Sequence, residues 1–280
     1  MRKIKLVLLG AFLLSFKVYS QNPNFHIYLC FGQSNMEGSA SIEEQDKIGN
    51  DRFKVLAPMN CSETGRKKGN WSTAIPPLSQ CSTGLSPADY FGRTMVEKLS
   101  DSITVGVINI AIGASDIRLF DKNQWQNFTT TYPEQWFKDK IEAYGGNPYK
   151  LLIDLAKQAK QDGVIKGILL HQGETNQDDA NWPSYVQTVY NNILSDLSLK
   201  ANEVPLLVGE LVHEEQGGKC ASMNKIIGKL PNTIPTAHVI SSKGCNARTD
   251  NVHFDSKGVR ELGKRYAIKM LSIEDLEHKK

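Results

Sequence analysis

Five short apolar runs alternate with amphipathic segments along this chain, and that alternation constrains its fold more than any other feature. The runs are Phe25–Phe31, Ile103–Ile110, Val164–Leu170, Pro205–Leu211 and Ala237–Ile240. The second, third and fourth are rich in Val, Ile and Leu with little polar alternation, the pattern of strands covered on both faces in a parallel sheet. Helical patterns separate the runs. Ser86-Pro87-Ala88-Asp89 opens one, with serine as N-cap and proline at the first helical position, and it runs to about Leu99. Tyr149–Gln161 carries Leu151, Leu152, Leu155 and Ala156 and stops near Gly163. Tyr185–Leu197 and Met223–Leu230 follow. Asp255 or Ser256 caps a last helix with Val259, Leu262 and Tyr266 on one face. Strands alternating with helices predict a doubly wound α/β fold with a five-stranded parallel sheet. Two stretches, Ser39–Leu85 and Ala114–Pro148, are poor in regular signals and read as long functional loops.

The first twenty residues have a different character. Arg2, Lys3 and Lys5 precede the apolar run Leu6–Phe16, and the small residue Ser20 follows. This is the layout of a signal peptide, 1–20, cleaved before Gln21 to leave a single domain, 21–280. Lys17 interrupts the run before the roughly 18 apolar residues that a membrane span requires. Export to the periplasm or beyond is therefore expected, with no stable membrane insertion after cleavage. The whole chain holds 33 Lys+Arg against 30 Asp+Glu, and the leader takes four of the basic residues with it. The remaining balance, with only short basic patches at Arg66-Lys67-Lys68 and Lys279-Lys280, points away from nucleic acid. Five cysteines, Cys30, Cys61, Cys81, Cys220 and Cys245, form no CxxC pair, so no metal site is expected. In an oxidising compartment, Cys61–Cys81 and Cys220–Cys245 are the simplest pairings. Cys30, inside an apolar run, reads as a buried free thiol.

In an open parallel sheet, ligands bind beyond the carboxyl ends of the strands. The residues that follow each run are polar and chemically capable: Gly32-Gln33-Ser34-Asn35, then Gly113-Ala114-Ser115, then His171-Gln172-Gly173-Glu174, then His213-Glu214-Glu215, then Asp250-Asn251-Val252-His253. Ser34 lies on a tight strand-to-helix turn, with Gly32 and Gly38 relieving crowding where the chain bends. A serine there becomes a nucleophile only if a base takes its proton and a third group orients that base. His253 is the candidate base. Asp250, three residues earlier, projects from the same turn and is the candidate orienting acid, with Glu174 as the alternative. Candidate oxyanion donors are the N–H groups of Ser34 and Gly113 and the side chain of Gln172. Gln33 and Asn35, on either side of the serine, are candidate substrate contacts. His171 reads as a structural residue at a strand end, and His213 with its neighbouring carboxylates as a solvated loop.

These blocks, in this order, resemble the SGNH/GDSL hydrolase superfamily, and within it the carbohydrate esterase branch of acetylxylan esterases and sialate O-acetylesterases. "GQSNMEG" is similar to the first block of that branch, "HQGETN" to its Gln-Gly-Glu block, and "DNVHFDSKGVRELGKRYA" to its closing Asp-x-x-His block. One departure is Asn176, where relatives often carry an aspartate. The resemblance implies a three-layer α/β/α flavodoxin-like fold and no metal or organic cofactor. It also implies Ser34 as nucleophile, His253 as base, Asp250 as its partner, and oxyanion binding by Ser34, Gly113 and Gln172. Because some members are thought to use the glutamate of the Gln-Gly-Glu block, Asp250 and Glu174 both stay open. The expected activity is removal of O-acetyl groups from an acetylated oligo- or polysaccharide. The alternatives are a non-catalytic carbohydrate-binding protein on the same scaffold, or a lipase or thioesterase. The loop between the second run and the next helix is dense in aromatics, and Trp125 and Trp136 are the candidate platforms for sugar rings. The remaining aromatics read as a satellite core under the loop. Nothing in the sequence bears on oligomeric state or on which sugar is deacetylated.

Overall fold

The structure is a computed structural model that describes residues 21–277; the leader pattern at 1–20 lies outside the described residues. Seven strands form one sheet: β1 (Asn22–Gly32), β2 (Phe53–Leu56), β3 (Trp71–Thr73), β4 (Thr104–Ala111), β5 (Gly163–His171), β6 (Leu206–Gly209) and β7 (Ala237–Ile240). Their order is β3-β2-β4-β1-β5-β6-β7. All pairings are parallel except that of β2 with β3. The five apolar runs form β1, β4, β5, β6 and β7. Counted in chain order among themselves, they lie 2-1-3-4-5, the flavodoxin-like arrangement.

The expectation of five strands is corrected to seven. The extra two come from the stretch read as irregular, and both are short. β2 is Phe-Lys-Val-Leu and β3 is Trp-Ser-Thr, half exposed on the sheet edge. Runs of three or four residues carry too few alternations to register as a period. β3 closes the edge by pairing back antiparallel, as edge strands on mostly parallel sheets often do.

Alternation along the central strand builds a core on each face. Ile27, Leu29 and Phe31 point to one side, packed with Leu152 of α4 (Pro148–Ala159) and Val186 of α5 (Trp182–Leu197). Tyr28 and Cys30 point to the other, packed with Phe91 of α2 (Pro87–Lys98) and Leu262 of α8 (Ser256–Glu277). Helices thus cover both faces, the reason these strands are apolar throughout. Pro87 starts α2 as expected, and Asp255 caps α8 by accepting the Gly258 N–H at 2.7 Å. The Met223–Leu230 pattern is broken into two single turns, α6 (Asn224–Ile227) and α7 (Leu230–Thr233).

The second long loop also contains a helix that the sequence did not signal, α3 (Gln135–Ala143). Phe120, Phe137, Tyr144 and Tyr149 are buried, and the expected satellite core is corrected: they join the main core on the Phe31 face of the sheet. Cys30 is fully buried, and burial pushes its thiol up. Cys81 Sγ lies 3.4 Å from the carbonyl of Asn60, which places it beside Cys61. The expected Cys220–Cys245 pairing is not formed: both are free thiols, and they pack into cores on opposite faces of the sheet.

Candidate active site

The site lies where the strand order reverses, at the carboxyl ends of β1, β4 and β5. Gly32 ends β1 with φ of 143°, and a β-carbon there would come within 2.1 Å of the His171 carbonyl oxygen. Only glycine lets β1 and β5 stay paired to their last residue while the chain turns. The turn leads into α1 (Ser34–Glu37), a single helical turn ended by Gly38 at φ of 117°. Ser34 occupies its first position. Its N–H makes no hydrogen bond to the described residues, because no helical carbonyl precedes it to accept.

Residues 219 positions apart meet here. Ser34 Oγ is 2.8 Å from His253 Nε2, and His253 Nδ1 is 2.9 Å from Asp250 Oδ2. The other oxygen, Asp250 Oδ1, accepts the N–H groups of Val252 and His253, each at 2.9 Å. Burial pushes the Asp250 carboxyl up, but those two N–H groups and the imidazole outweigh it and bring its pKa down to about 2. Asp250 is therefore an anion throughout the neutral range.

Glu174 is turned elsewhere. Its Oε1 accepts the Asn35 amide at 2.8 Å, and Oε2, buried, has no hydrogen-bond partner. Burial raises its pKa. Its closest histidine contact is to His171 Nε2, at 4.0 Å, rather than to the ring of His253.

Asn35 is fully buried and joins the two halves of the site, so its expected placement as a substrate contact is corrected. Its Nδ2 donates to Glu174 and, at 3.2 Å, to the Val252 carbonyl, while its Oδ1 accepts the Phe254 N–H at 3.1 Å. Val252 and Phe254 flank His253, so the residue after the serine holds the histidine loop from both sides.

Gln172 is also corrected. It is fully buried, Trp182 Nε1 donates to its Oε1 at 2.5 Å, and its Nε2 faces Ser115 O, Gln33 Oε1 and Asn176 Oδ1. No donor of this amide is left for a ligand. Asn176 passes the network on, donating to Asp116 Oδ2 at 2.8 Å and so pinning the start of the loop after β4.

Above Ser34 and His253 opens a cleft of about 410 Å³. Gln33, Ser34, Gly113, Glu174 and His253 line it. Trp136, 45% exposed, stands on its wall. Trp125 does not; it lines a separate hollow with Lys138 and Glu142, and its expected role at this site is corrected. The cleft also contains Glu37, Tyr132, Lys140 and Cys220, which the sequence analysis did not assign to it. Glu37 sits inside the first block and was visible there. Lys140 and Tyr132 arrive with α3 and its approach, and no local signal points to them. Among the described residues no cluster of His, Cys, Asp and Glu is arranged to hold a metal ion.

A hydroxyl, an imidazole and a carboxylate in one hydrogen-bonded line, on the open edge of a parallel sheet, is the geometry of a hydrolase. The carbohydrate esterase family described as sialic acid-specific acetylesterases matches residues 24–272, and the chain belongs to that family of carboxylic ester hydrolases. Solved structures share the fold. A protein from Arabidopsis thaliana superposes with a TM-score of 0.68 at 19% identity, over 90% of this chain and 99% of that one. NanS gives 0.65 at 14% identity, over 90% and 98%. A carbohydrate acetylesterase from Xanthomonas citri gives 0.62 at 18% identity, over 88% of this chain and 56% of its own.

Proposed function

We propose that this carbohydrate O-acetylesterase is an exported serine enzyme working through an acetyl-enzyme. Ser34 Oγ attacks the acetyl carbonyl carbon as His253 Nε2 takes the hydroxyl proton. Asp250 holds Nδ1–H and stabilises the imidazolium that forms. The N–H groups of Ser34 and Gly113 receive the oxyanion. The C–O bond to the sugar then breaks, and the leaving alkoxide takes the proton from His253. Water, deprotonated by the same imidazole, attacks the acetyl-serine; collapse releases acetate and returns the proton to Ser34.

The observation that carries this reading is the unbroken line from Asp250 to His253 to Ser34, at 2.9 and 2.8 Å. The half-exposed ring of Trp136 above it supplies an apolar face of the kind sugar rings stack on. The leader pattern at 1–20 supports export. None of the described helices is long and apolar enough to cross a membrane. The family to which the chain belongs makes an O-acetylated sialic acid the first substrate to try, with acetylated xylan as the comparison.

The test is hydrolysis of 4-nitrophenyl acetate by the wild type and by Ser34→Ala. Loss of turnover in the variant is expected, and full activity there would remove Ser34 from the mechanism. Acetate release from the two glycans then ranks the substrates. An activity that grows with acyl length on 4-nitrophenyl esters would instead mark a lipase.

A further inference from the structure

The reaction above draws on the Gly113 N–H, and a buried ion pair stands beside that residue. Glu37 closes the helical turn that Ser34 opens, and its carboxylate is nine-tenths buried, with 5% of the side chain exposed. It lies against Gly113: a β-carbon added there would sit 3.0 Å from Glu37 Oε2. Burial raises the pKa of this carboxyl, and Lys140 opposes that rise. Lys140 Nζ, reaching in from α3, is 2.5 Å from the same oxygen. Glu37 Oε1 is buried with no hydrogen-bond partner. Glu37, Gly113, Lys140 and Ser34 all line the one cleft.

A resident carboxylate beside an incoming oxyanion puts two negative charges side by side, and they repel. The lysine removes that difficulty by making the resident group a neutral pair. We propose that Glu37 and Lys140 act as a positioning pair for the oxyanion site. Glu37 holds the Lys140 ammonium against Gly113, 3.5 Å from where a β-carbon there would sit. Lys140 cancels the carboxylate charge that would otherwise oppose the transition state. The proposal rests on the serine-esterase reading given above.

The test compares 4-nitrophenyl acetate kinetics of the wild type, Lys140→Met, Glu37→Gln and the double variant, each checked for folding by thermal melting. Lys140→Met leaves an unbalanced carboxylate beside the oxyanion, and kcat falls by about tenfold or more with KM within about twofold. The double variant carries no such charge and returns to within about threefold of the wild type. Glu37→Gln alone leaves the Lys140 ammonium unbalanced beside the oxyanion, and kcat rises by about fivefold. A double variant as slow as Lys140→Met would overturn the pair, since the lysine would then act by itself. If Lys140→Met does not fold, an unchanged or lower kcat in Glu37→Gln overturns it instead. Activity in the wild type that Ser34→Ala abolishes makes such a failure specific to the pair. An inert wild type overturns the pair and the esterase reading together.

Discussion

Replacing Asp250 and Glu174 in turn by their amides separates two roles that the sequence left open. In Asp250→Asn the side-chain oxygen still accepts the Val252 and His253 N–H groups, so the loop keeps its shape. The amide nitrogen, however, now faces His253 Nδ1 and donates to it. That selects the tautomer with a proton on Nε2, which cannot take one from Ser34. The ion pair formed with the imidazolium in the transition state is lost as well. At an effective dielectric constant of about 20 such a pair contributes about 4 kcal/mol, and solvent screening reduces this to about 3 kcal/mol because the Asp250 side chain is 38% exposed. At 1.36 kcal/mol per decade this alone costs about 10²-fold. The wrong tautomer brings the expected loss in kcat to about 10³-fold or more, with KM little changed. In Glu174→Gln the acceptor for Asn35 survives, and burial already disfavours the charge that is removed. The expected loss is under about tenfold. Steady-state kinetics on 4-nitrophenyl acetate, with circular dichroism to verify folding, measures both. A loss near 10³-fold in Glu174→Gln beside less than tenfold in Asp250→Asn would refute the reasoning.

Asn35→Ala should destabilise the fold by about 2–4 kcal/mol in urea denaturation, because it strands the Phe254 N–H and the Glu174 carboxyl inside the protein; a change below about 0.5 kcal/mol would deny the clamp. Trp136→Ala should raise KM for an acetylated glycan by about three- to tenfold and leave 4-nitrophenyl acetate unaffected, whereas Trp125→Ala should alter neither. A pH effect on stability follows from His171. Burial, with a smaller push from His253, lowers its pKa to about 3, and neither ring nitrogen has a hydrogen-bond partner. An unfolded histidine titrates near 6.5, so between about pH 6.5 and 3 the unfolded chain holds a proton that the folded chain refuses. Stability is lost as pH falls through that window, by up to about 1.4 kcal/mol per unit. Denaturation at pH 7, 6 and 5 should show a shallower loss in His171→Leu than in the wild type, and equal slopes would refute the assignment.

The parts of the molecule that were legible in the sequence are those where one residue type answers one local demand. β1, β4 and β5 are buried on both faces over most of their length, and those stretches read as apolar runs. Gly32 marks a place where two strands leave no room for a side chain. The Asp250–His253 spacing of three is a property of one turn, so it could be weighed without coordinates. Lys140 and Tyr132 were not legible, because what matters about them is where α3 lands, and that depends on packing of Phe137 and Ile141 into the main core. Gln172 and Asn35 misled for a related reason. Polar residues after a buried strand suggest a ligand, but here they satisfy one another inside the protein.

That inward turn is itself what makes the site possible. Ser34 and His253 lie on segments 219 residues apart in sequence, and neither segment belongs to a long helix or a strand interior at the point of contact. Had Asn35 and Gln172 faced a ligand, the loops after β1, β5 and β7 would have lost their most buried cross-links. Facing inward, Asn35 ties the serine turn to both neighbours of His253. Gln172 ties the same turn, through Gln33, to Asn176 and on to the loop after β4. The amides flanking the serine thus fix the distance between Ser34 and His253, and leave the cleft wall to residues from elsewhere, Trp136 and Lys140 of α3 among them.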